Sequence, residues 1–303
     1  MRIGVAATPA VALPSLNWLL KSEHELVRTI SVPDKPSGRG RLLTPSIVAT
    51  WSQENGIPCL KPLHSDELVG EIEDLDLVIT IGYGVILPDK ILSLPSHGFI
   101  NLHFSLLPHY RGAAPVQRAL LNGEIVTGVT VFGLDKGMDT GPIYVSHSCA
   151  IEPTWRASEL LDALSQMGPK VLEESCEMIA KGEIPKIQVG KSSLAPKVSV
   201  EEARLDFNQK AIRISNQVRA FYPSPSAWTQ FRGEKIKISR LGSISETSDL
   251  GAGELTFDGK KLFVGCANSE SIEIVELTPA GKNEMKASDW ARGARIVPGE
   301  IFG

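Results

Sequence analysis

The sequence contains little cysteine and no clustered metal ligands. Its four cysteines in 303 residues lie far apart and form no CxxC pair. This spacing excludes a disulfide framework and a cysteine zinc site, and it favours a reducing compartment. His97, His103 and His109 recur every six residues, a spacing that does not bring ligands together on one metal ion. We therefore expect no metal site.

Long apolar runs are also absent. No stretch reaches the roughly 18 residues that a membrane helix requires. The first residues resemble a signal peptide in having Arg2 and many small apolar side chains, but Pro9 and Pro14 interrupt the run. We expect a strand, a turn and a helix there, and a cytoplasmic protein without membrane association.

The common nucleotide and nucleophile motifs are missing. The first strand-to-helix turn, AATPAVA, has no glycine after Gly4, and Gly82-Tyr83-Gly84 supplies only part of a GxGxxG motif. The sequence has no GxxxxGK[ST] loop and no GxSxG elbow. These absences argue against nicotinamide-cofactor and P-loop chemistry, and they indicate that any nucleophile comes from the substrate.

The composition is that of an ordinary globular protein, with 42% hydrophobic and 22% charged residues and a net charge of -4. Short apolar strands alternate with helical patterns in the first half, which predicts a doubly wound, largely parallel Rossmann-like α/β sheet. One helix is predicted from Thr44-Pro45 to Gly56. A long one is predicted from Thr154 to Lys181, with a break at Gly168-Pro169.

The last hundred residues have a different pattern. Five short strands follow each other closely, with an Asp-Gly hairpin signal at Asp258-Gly259. This pattern predicts a small β-barrel or β-sandwich, and the resemblance described below implies the barrel, in an OB-like form. We therefore expect a catalytic domain over 1–185, a linker over 186–205 and a C-terminal β-barrel over 206–303, in a monomeric protein.

The stretch NLHFSLLPHYRG, from Asn101 to Gly112, places two polar residues in an otherwise apolar strand. Asn101 and His103 project from the same face because strand side chains alternate. Binding groups in open α/β sheets lie at the carboxyl ends of strands, followed by loops like this one. A buried pair that only satisfies loop backbone groups is the alternative.

Asp139 follows the next strand, between Gly137 and Gly141 in the stretch KGMDTGP. Neighbouring strands would place its carboxylate near His103, where it would hold the imidazole in one tautomer. An amide, an imidazole and a carboxylate suit attack on a carbonyl, because donors stabilise the oxyanion while another group moves a proton. Asp139 as a simple turn former is the alternative.

The whole chain resembles the folate-dependent formyltransferases. The resemblance is carried by NLHFSLLPHYRG, RGAAPVQRAL, MDTGP and PDKPSGRGRLLTPS, together with the β-rich C-terminal part. It is strongest to members that formylate the methionine of initiator tRNA for translation initiation. It implies 10-formyltetrahydrofolate as the formyl donor, methionyl-tRNA as the partner, and Asn101, His103 and Asp139 as the catalytic residues.

The resemblance also implies binding residues. The folate-contacting loop corresponds to Ser105, Leu106, Leu107 and Pro108, and the apolar wall beside the pterin to Tyr83, Ile86 and Leu87. The basic loop that reaches the tRNA acceptor end contains Lys35, Arg39 and Arg41; without the resemblance it could equally be a solvated charged loop. Phosphate contacts of the barrel are expected from Lys210, Arg213, Arg219, Lys235 and Lys237.

The chain departs from the family pattern in two places. Phe104 stands where a compact residue is usual, and the first turn has Ala7 and Val11 where Gly and Phe are usual.

Two other functions stay open: a folate-dependent formyltransferase that acts on an amino-sugar nucleotide, and a non-catalytic relative that binds folate or RNA.

Overall fold

The computed structural model describes residues 1–37 and 42–303, which form two compact units. Unit 1 comprises Met1–Pro115, Val126–Ala150 and Leu161–Pro196, and unit 2 comprises Val116–Ile125, Ile151–Leu160 and Lys197–Gly303. The predicted linker over 186–205 therefore divides between the two units. Among the described residues, no helix is long and apolar enough to cross a membrane.

Unit 1 is built on a sheet that has seven strands in the described residues, in the order β5-β2-β1-β6-β7-β8-β9. A separate two-stranded hairpin, β3-β4, follows β2. The strands are β1 (Arg2–Ala7), β2 (Glu25–Ile30), β3 (Lys35–Ser37), β4 (Leu42–Thr44), β5 (Cys59–Leu60), β6 (Leu77–Ile81), β7 (Phe99–His103), β8 (Val126–Gly133) and β9 (Ile143–Ala150).

The first five strands of this sheet are parallel, and β8 and β9 continue it antiparallel to their neighbours. The central strand β6 is buried along its whole length, as expected for a parallel strand covered on both faces. The predicted doubly wound, largely parallel α/β fold is confirmed, and the strand–turn–helix predicted at the start is present as β1, a 3-10 turn and α1.

The helices of the first two thirds of the chain differ from the predictions at two points. Their bounds are α1 (Leu13–Leu19), α2 (Ile47–Glu54), α3 (Asp89–Leu92), α4 (Pro115–Leu121) and α5 (Ala157–Ala180), with 3-10 turns at Ala10–Ala12 and Ser65–Leu68. Helix α2 is capped by Ser46, whose Oγ accepts from Ala49 N at 3.1 Å. The cap therefore lies two residues beyond the predicted one.

The break predicted at Gly168-Pro169 is wrong, because α5 runs through both residues. Leu164, Val171 and Leu172 are fully buried, so one apolar stripe continues across the proline. Packing of such a stripe outweighs the one hydrogen bond that proline removes.

Unit 2 contains an antiparallel sheet of six strands in the described residues, in the order β10-β11-β14-β13-β12, with β15 paired to β14. Its elements are α6 (Ala211–Phe221), β10 (Ala227–Phe231), β11 (Glu234–Ser245), β12 (Leu255–Phe257), β13 (Leu262–Gly265), a 3-10 turn (Ala267–Ser269), β14 (Ser271–Pro279), β15 (Met285–Lys286) and α7 (Ala287–Ala294).

The last residues of the chain join the two edges of this sheet. Gly303 exchanges two backbone hydrogen bonds of 3.0 Å with Gln230 of β10, and Phe302 N donates to Gly253 O at 2.8 Å just before β12. The Phe302 ring packs on Phe207 and Phe231 in the unit's core. This closure makes the sheet barrel-like, as predicted.

Substitution of Gly253 by alanine should destabilise unit 2. Gly253 has φ +81°, and an added Cβ would lie 2.6 Å from Phe302 O. We expect a loss of about 2–4 kcal/mol in the free energy of unfolding, measured by urea denaturation. Gly259→Ala is the matched control, because Gly259 has φ +90° but open space around it. It should lose only about 1 kcal/mol, and equal losses in both variants would contradict the closure.

Candidate functional site

Asn101 lies half-buried in β7 beside β6. Its Nδ2 donates to Thr80 Oγ1 at 2.8 Å, and that hydroxyl donates to Ile100 O at 3.1 Å. The threonine oxygen must therefore accept from Asn101, and this distinguishes the amide nitrogen of Asn101 from its oxygen. In the described part of the chain, the other N–H of Asn101 Nδ2 forms no hydrogen bond within the protein. This group is available to a ligand.

His103 is buried two residues further along the strand. Its Nε2 lies 3.0 Å from Tyr110 O, and because a carbonyl oxygen only accepts, we assign the ring proton to Nε2. Burial lowers the pKa of His103, although the Asp139 charge and the Tyr110 carbonyl act in the opposite direction. The ring is therefore neutral at pH 7, and its Nδ1 carries a lone pair.

Asp139 lies opposite that lone pair, with Oδ2 3.7 Å from His103 Nδ1. The same oxygen accepts from Gly112 N at 2.7 Å. Asp139 has φ +52°, a left-handed conformation that is uncommon for a residue other than glycine. The carboxylate therefore lies where its charge would stabilise the imidazolium if Nδ1 takes up a proton, even though burial keeps the resting ring neutral.

The loop over 134–142, which carries Asp139, is held by hydrogen bonds from the Gln188 side chain to its backbone carbonyls. Gln188 Nε2 donates to Asp139 O at 2.9 Å and to Gly141 O at 2.8 Å, while Gln188 Oε1 accepts from Arg111. At Gly141 a Cβ would lie 1.8 Å from Gly133 O, so only glycine lets the two chain segments approach this closely. These contacts explain how an unusual backbone conformation is maintained.

Asp139 lies near His103, as expected, but not because the carboxyl ends of two neighbouring strands meet. Strand β8 is antiparallel to β7, and its last residue, Gly133, pairs with Ile100 near the start of β7. Because the two strands are antiparallel, the carboxyl end of β8 lies beside the amino end of β7, away from His103. The loop over 134–142 returns along the sheet to bring Asp139 to the His103 end.

A cavity of about 370 Å³ opens beside Asn101 and Asp139. One side is apolar and includes the side chains Tyr83, Ile86 and Leu87, which were predicted as a pterin wall. Tyr83 and Leu87 are buried, while Ile86 is 93% exposed at the rim. The lining is completed by Thr80, Gly84, Val85, Leu92, Leu134, Asp135, Lys136, Gly137 and Met138. An apolar wall with a few polar groups is typical of a site for a flat heteroaromatic ring.

The loop over 105–108, which follows β7 and was predicted to contact the folate, does not line this cavity. Ser105, Leu107 and Pro108 are buried and Leu106 is partly buried, but none of the four lines the 370 Å³ cavity. Ser105 Oγ donates to His109 O at 2.6 Å, which shapes the turn that presents Tyr110 O to His103. Folate contact by these four residues stays a prediction. Phe104 is also buried and does not line the cavity.

Other predicted residues lie apart from the described site or outside the described residues. Lys35 is exposed at the start of β3. Arg39 and Arg41 lie outside the residues that the structure describes. Within the described ranges, no group of three His, Cys, Asp or Glu residues could hold a metal ion.

Sequence reasoning missed Thr80, Tyr110 and Gln188. Thr80 could have been found, because it is the one polar side chain in the strand LVITI. Tyr110 acts through its carbonyl, which side-chain patterns do not report. Gln188 comes from the segment predicted as a linker, where nothing in the sequence marks it.

The depressed pKa of His103 predicts how stability varies with pH. The folded state holds this proton less tightly than the unfolded state, whose histidine pKa is about 6.5. Wild type should therefore lose stability relative to His103→Gln as pH falls below about 6.5, by up to about 1.4 kcal/mol per pH unit until the folded-state pKa is passed. Urea denaturation of both proteins across this range checks it, and parallel curves would contradict it.

Comparison with known proteins identifies the family. A family model described as formyl transferase matches residues 1–176, and one described as formyl transferase, C-terminal domain, matches residues 197–295. The methionyl-tRNA formyltransferases of Thermobifida fusca and Salinispora tropica are 41% and 40% identical over 309 residues, which cover 100% of this chain and 99% and 100% of theirs.

Solved structures share the fold. WlaRD, a sugar 3N-formyl transferase, superimposes with a TM-score of 0.69 at 18% identity, covering 93% of this chain and 99% of its own. The methionyl-tRNA formyltransferase from Clostridium thermocellum has a TM-score of 0.59 at 17% identity, covering 80% and 93%. With both family models and full-length relatives matched, the chain belongs to the formyl transferase family.

Proposed function

We propose that this protein transfers a formyl group from 10-formyltetrahydrofolate to the α-amino group of methionyl-tRNA for translation initiation. The observation that carries the proposal is a cavity lined by an amide donor, Asn101, and a carboxylate, Asp139. Behind that lining, the buried and neutral imidazole of His103 faces the carboxylate. Relatives that carry this name match along the full length of the chain. We place the reaction in the cytoplasm and expect a monomer.

The reaction requires two proton transfers, one from the attacking amine and one to the folate nitrogen that leaves. The amine nitrogen forms a bond to the formyl carbon, and the bond from that carbon to folate N10 breaks. The amine loses one proton and N10 gains one, so a group that accepts and returns a proton serves both steps. His103 Nδ1 is suited to this because it is unprotonated, and Asp139 Oδ2 stabilises the imidazolium that forms.

Asn101 supplies the fixed donor for the oxyanion. Its amide is already oriented by Thr80, so no rearrangement is needed when negative charge develops on the formyl oxygen. The protonated His103 ring, two residues away on the same strand face, adds positive charge at the same stage. The residues therefore divide the work, with hydrogen bonding by Asn101 and proton transfer by the His103–Asp139 pair.

The cavity wall and a basic loop suit the two substrates. Tyr83, Ile86 and Leu87 would hold the pterin ring against apolar surface. Folate contact by the loop over 105–108 is implied by the family resemblance alone, since none of its four residues lines this cavity. Lys35, Arg39 and Arg41 would pair with phosphates at the tRNA acceptor end.

Asn101→Ala should lower kcat by roughly 10²–10³-fold with a small effect on KM, because it removes an interaction that is strongest in the transition state. Formyl transfer to charged initiator tRNA measures this. A variant whose kcat stays within a factor of three of wild type would contradict the role of Asn101.

Asp139→Asn tests the carboxylate without changing the shape of the side chain. The new amide oxygen can still accept from Gly112 N, but the negative charge opposite His103 is lost. We expect kcat to fall by roughly 10²–10⁴-fold while thermal stability changes little. Asp249→Asn is the control, since Asp249 is exposed and distant in sequence from the site; it should behave as wild type.

The same assay separates the alternative functions. Transfer to an amino-sugar nucleotide but not to methionyl-tRNA would overturn the proposed acceptor. Binding of folate or RNA with no product from either acceptor would overturn the enzymatic function.

A further inference from the structure

Both groups that face the ring nitrogens of His103 belong to residues with a left-handed backbone. Tyr110, whose carbonyl oxygen lies 3.0 Å from Nε2, has φ +61°. Asp139, whose Oδ2 lies 3.7 Å from Nδ1, has φ +52°. This conformation is costly for a residue with a side chain, and it persists only where neighbouring groups hold it. Two such residues on either side of one imidazole therefore require contacts that fix them.

One segment supplies contacts to both residues. It is the strap, residues 186–195, which is the first half of the stretch predicted as a linker. Near its start, Gln188 Nε2 donates to Asp139 O at 2.9 Å. Further along, Ser193 Oγ accepts from Tyr110 N at 2.9 Å. The strap therefore fixes the backbone on both sides of the imidazole.

The end of the strap also fixes the residue that holds the Asp139 carboxylate. Ser193 O accepts from Arg111 N at 2.9 Å, and Ala195 N donates to Arg111 O at 2.6 Å. The next residue, Gly112, donates its N–H to Asp139 Oδ2 at 2.7 Å. A Cβ at Gly112 would lie 2.8 Å from Ala195 O, so the two segments are in close contact. The strap thus holds Asp139 through its backbone and through its carboxylate.

The strap is held by hydrogen bonds more than by apolar burial. Ile187, Val189 and Leu194 are 83%, 84% and 71% exposed. Gln188, which lies between the first two, is partly buried. This is the reverse of the usual pattern, in which apolar side chains face inward and polar ones face solvent. The inward amide is therefore placed for its contacts with the Asp139 loop.

We propose that the strap is a positioning element for the proton transfer at His103. Gln188 holds Asp139 opposite Nδ1 of the ring. Ser193 holds Tyr110, whose carbonyl accepts from Nε2. Neither Gln188 nor Ser193 lines the 370 Å³ cavity, so both act through other residues. The inference rests on the proposed function for the reaction whose rate the strap controls.

Gln188→Met tests the first contact with an uncharged side chain of similar length. A catalytic group displaced by about 1 Å can cost about 10²-fold in rate, so we expect kcat for formyl transfer to fall roughly 10–10²-fold. KM for both substrates should stay within about threefold of wild type, because no binding group is removed.

Gln217→Met is the matched control. Gln217 Nε2 also donates to two backbone carbonyls, Glu202 O at 2.7 Å and Arg204 O at 2.9 Å, but these lie in unit 2. Its kcat should equal that of wild type. Equal kcat values in Gln188→Met and Gln217→Met would overturn the proposal.

Ser193→Ala tests the other side of the ring. It removes the acceptor of Tyr110 N, and we expect kcat to fall about fivefold to tenfold with KM unchanged. Ser248→Ala is the control, because Ser248 Oγ accepts from a backbone N–H in the same way, that of Leu250 at 3.2 Å. If the two variants have the same kcat, Ser193 has no positioning role.

A double variant separates positioning from a general structural role. In the Asp139→Asn background the charge that Gln188 positions is absent, so Gln188→Met should lower kcat by less than about twofold. A structural role would instead multiply the two losses. A double variant whose loss in kcat equals the product of the single losses would overturn the proposal.

Hydrogen exchange of the unliganded protein provides a readout that does not depend on the reaction. The Gly112 N–H is protected by Asp139 Oδ2, so its exchange should be about tenfold faster in Gln188→Met than in wild type or Gln217→Met. Unchanged exchange would overturn the proposal even if wild type transfers formyl groups. Faster exchange in a protein without transferase activity would support the hold of the strap on Asp139 and overturn the proposed function.

Discussion

The proposed chemistry depends on one constraint: a carboxylate must lie opposite the lone pair of a buried, neutral imidazole. Asp139 Oδ2 meets this condition only because the loop over 134–142 returns along the sheet and Gly112 N fixes the oxygen at 2.7 Å. The left-handed backbone at Asp139 and the close approach at Gly141 both serve that position. Burial keeps the resting His103 ring unprotonated. In the proposed reaction, the negative charge of Asp139 stabilises the imidazolium that forms when His103 accepts the proton.

Much of this could be predicted from the sequence. Period-two alternation placed Asn101 and His103 on one face, and the glycines around Asp139 indicated an unusual turn. The strand count and the change of pattern in the last hundred residues predicted both architectures. These features are local, so they leave a trace in short windows of sequence.

The rest could not be predicted, because it depends on contacts between distant segments. Nothing in the sequence shows that β8 runs antiparallel to β7, or that Gln188 returns from a segment without regular structure to hold Asp139 O. The continuous helix α5 is a similar case, since the benefit of packing Leu164 and Val171 outweighs the local signal of Gly168-Pro169.

The pH dependence of kcat tests the central claim most directly. If His103 accepts the proton, both the substrate α-amino group, with a pKa of about 7.7, and His103 must be unprotonated. At saturating substrate, log kcat should then fall with slope one as pH drops below the amine pKa, and with slope two below the pKa of His103. A plateau between the two pKa values would mean that the imidazolium is the active form, and would contradict the account.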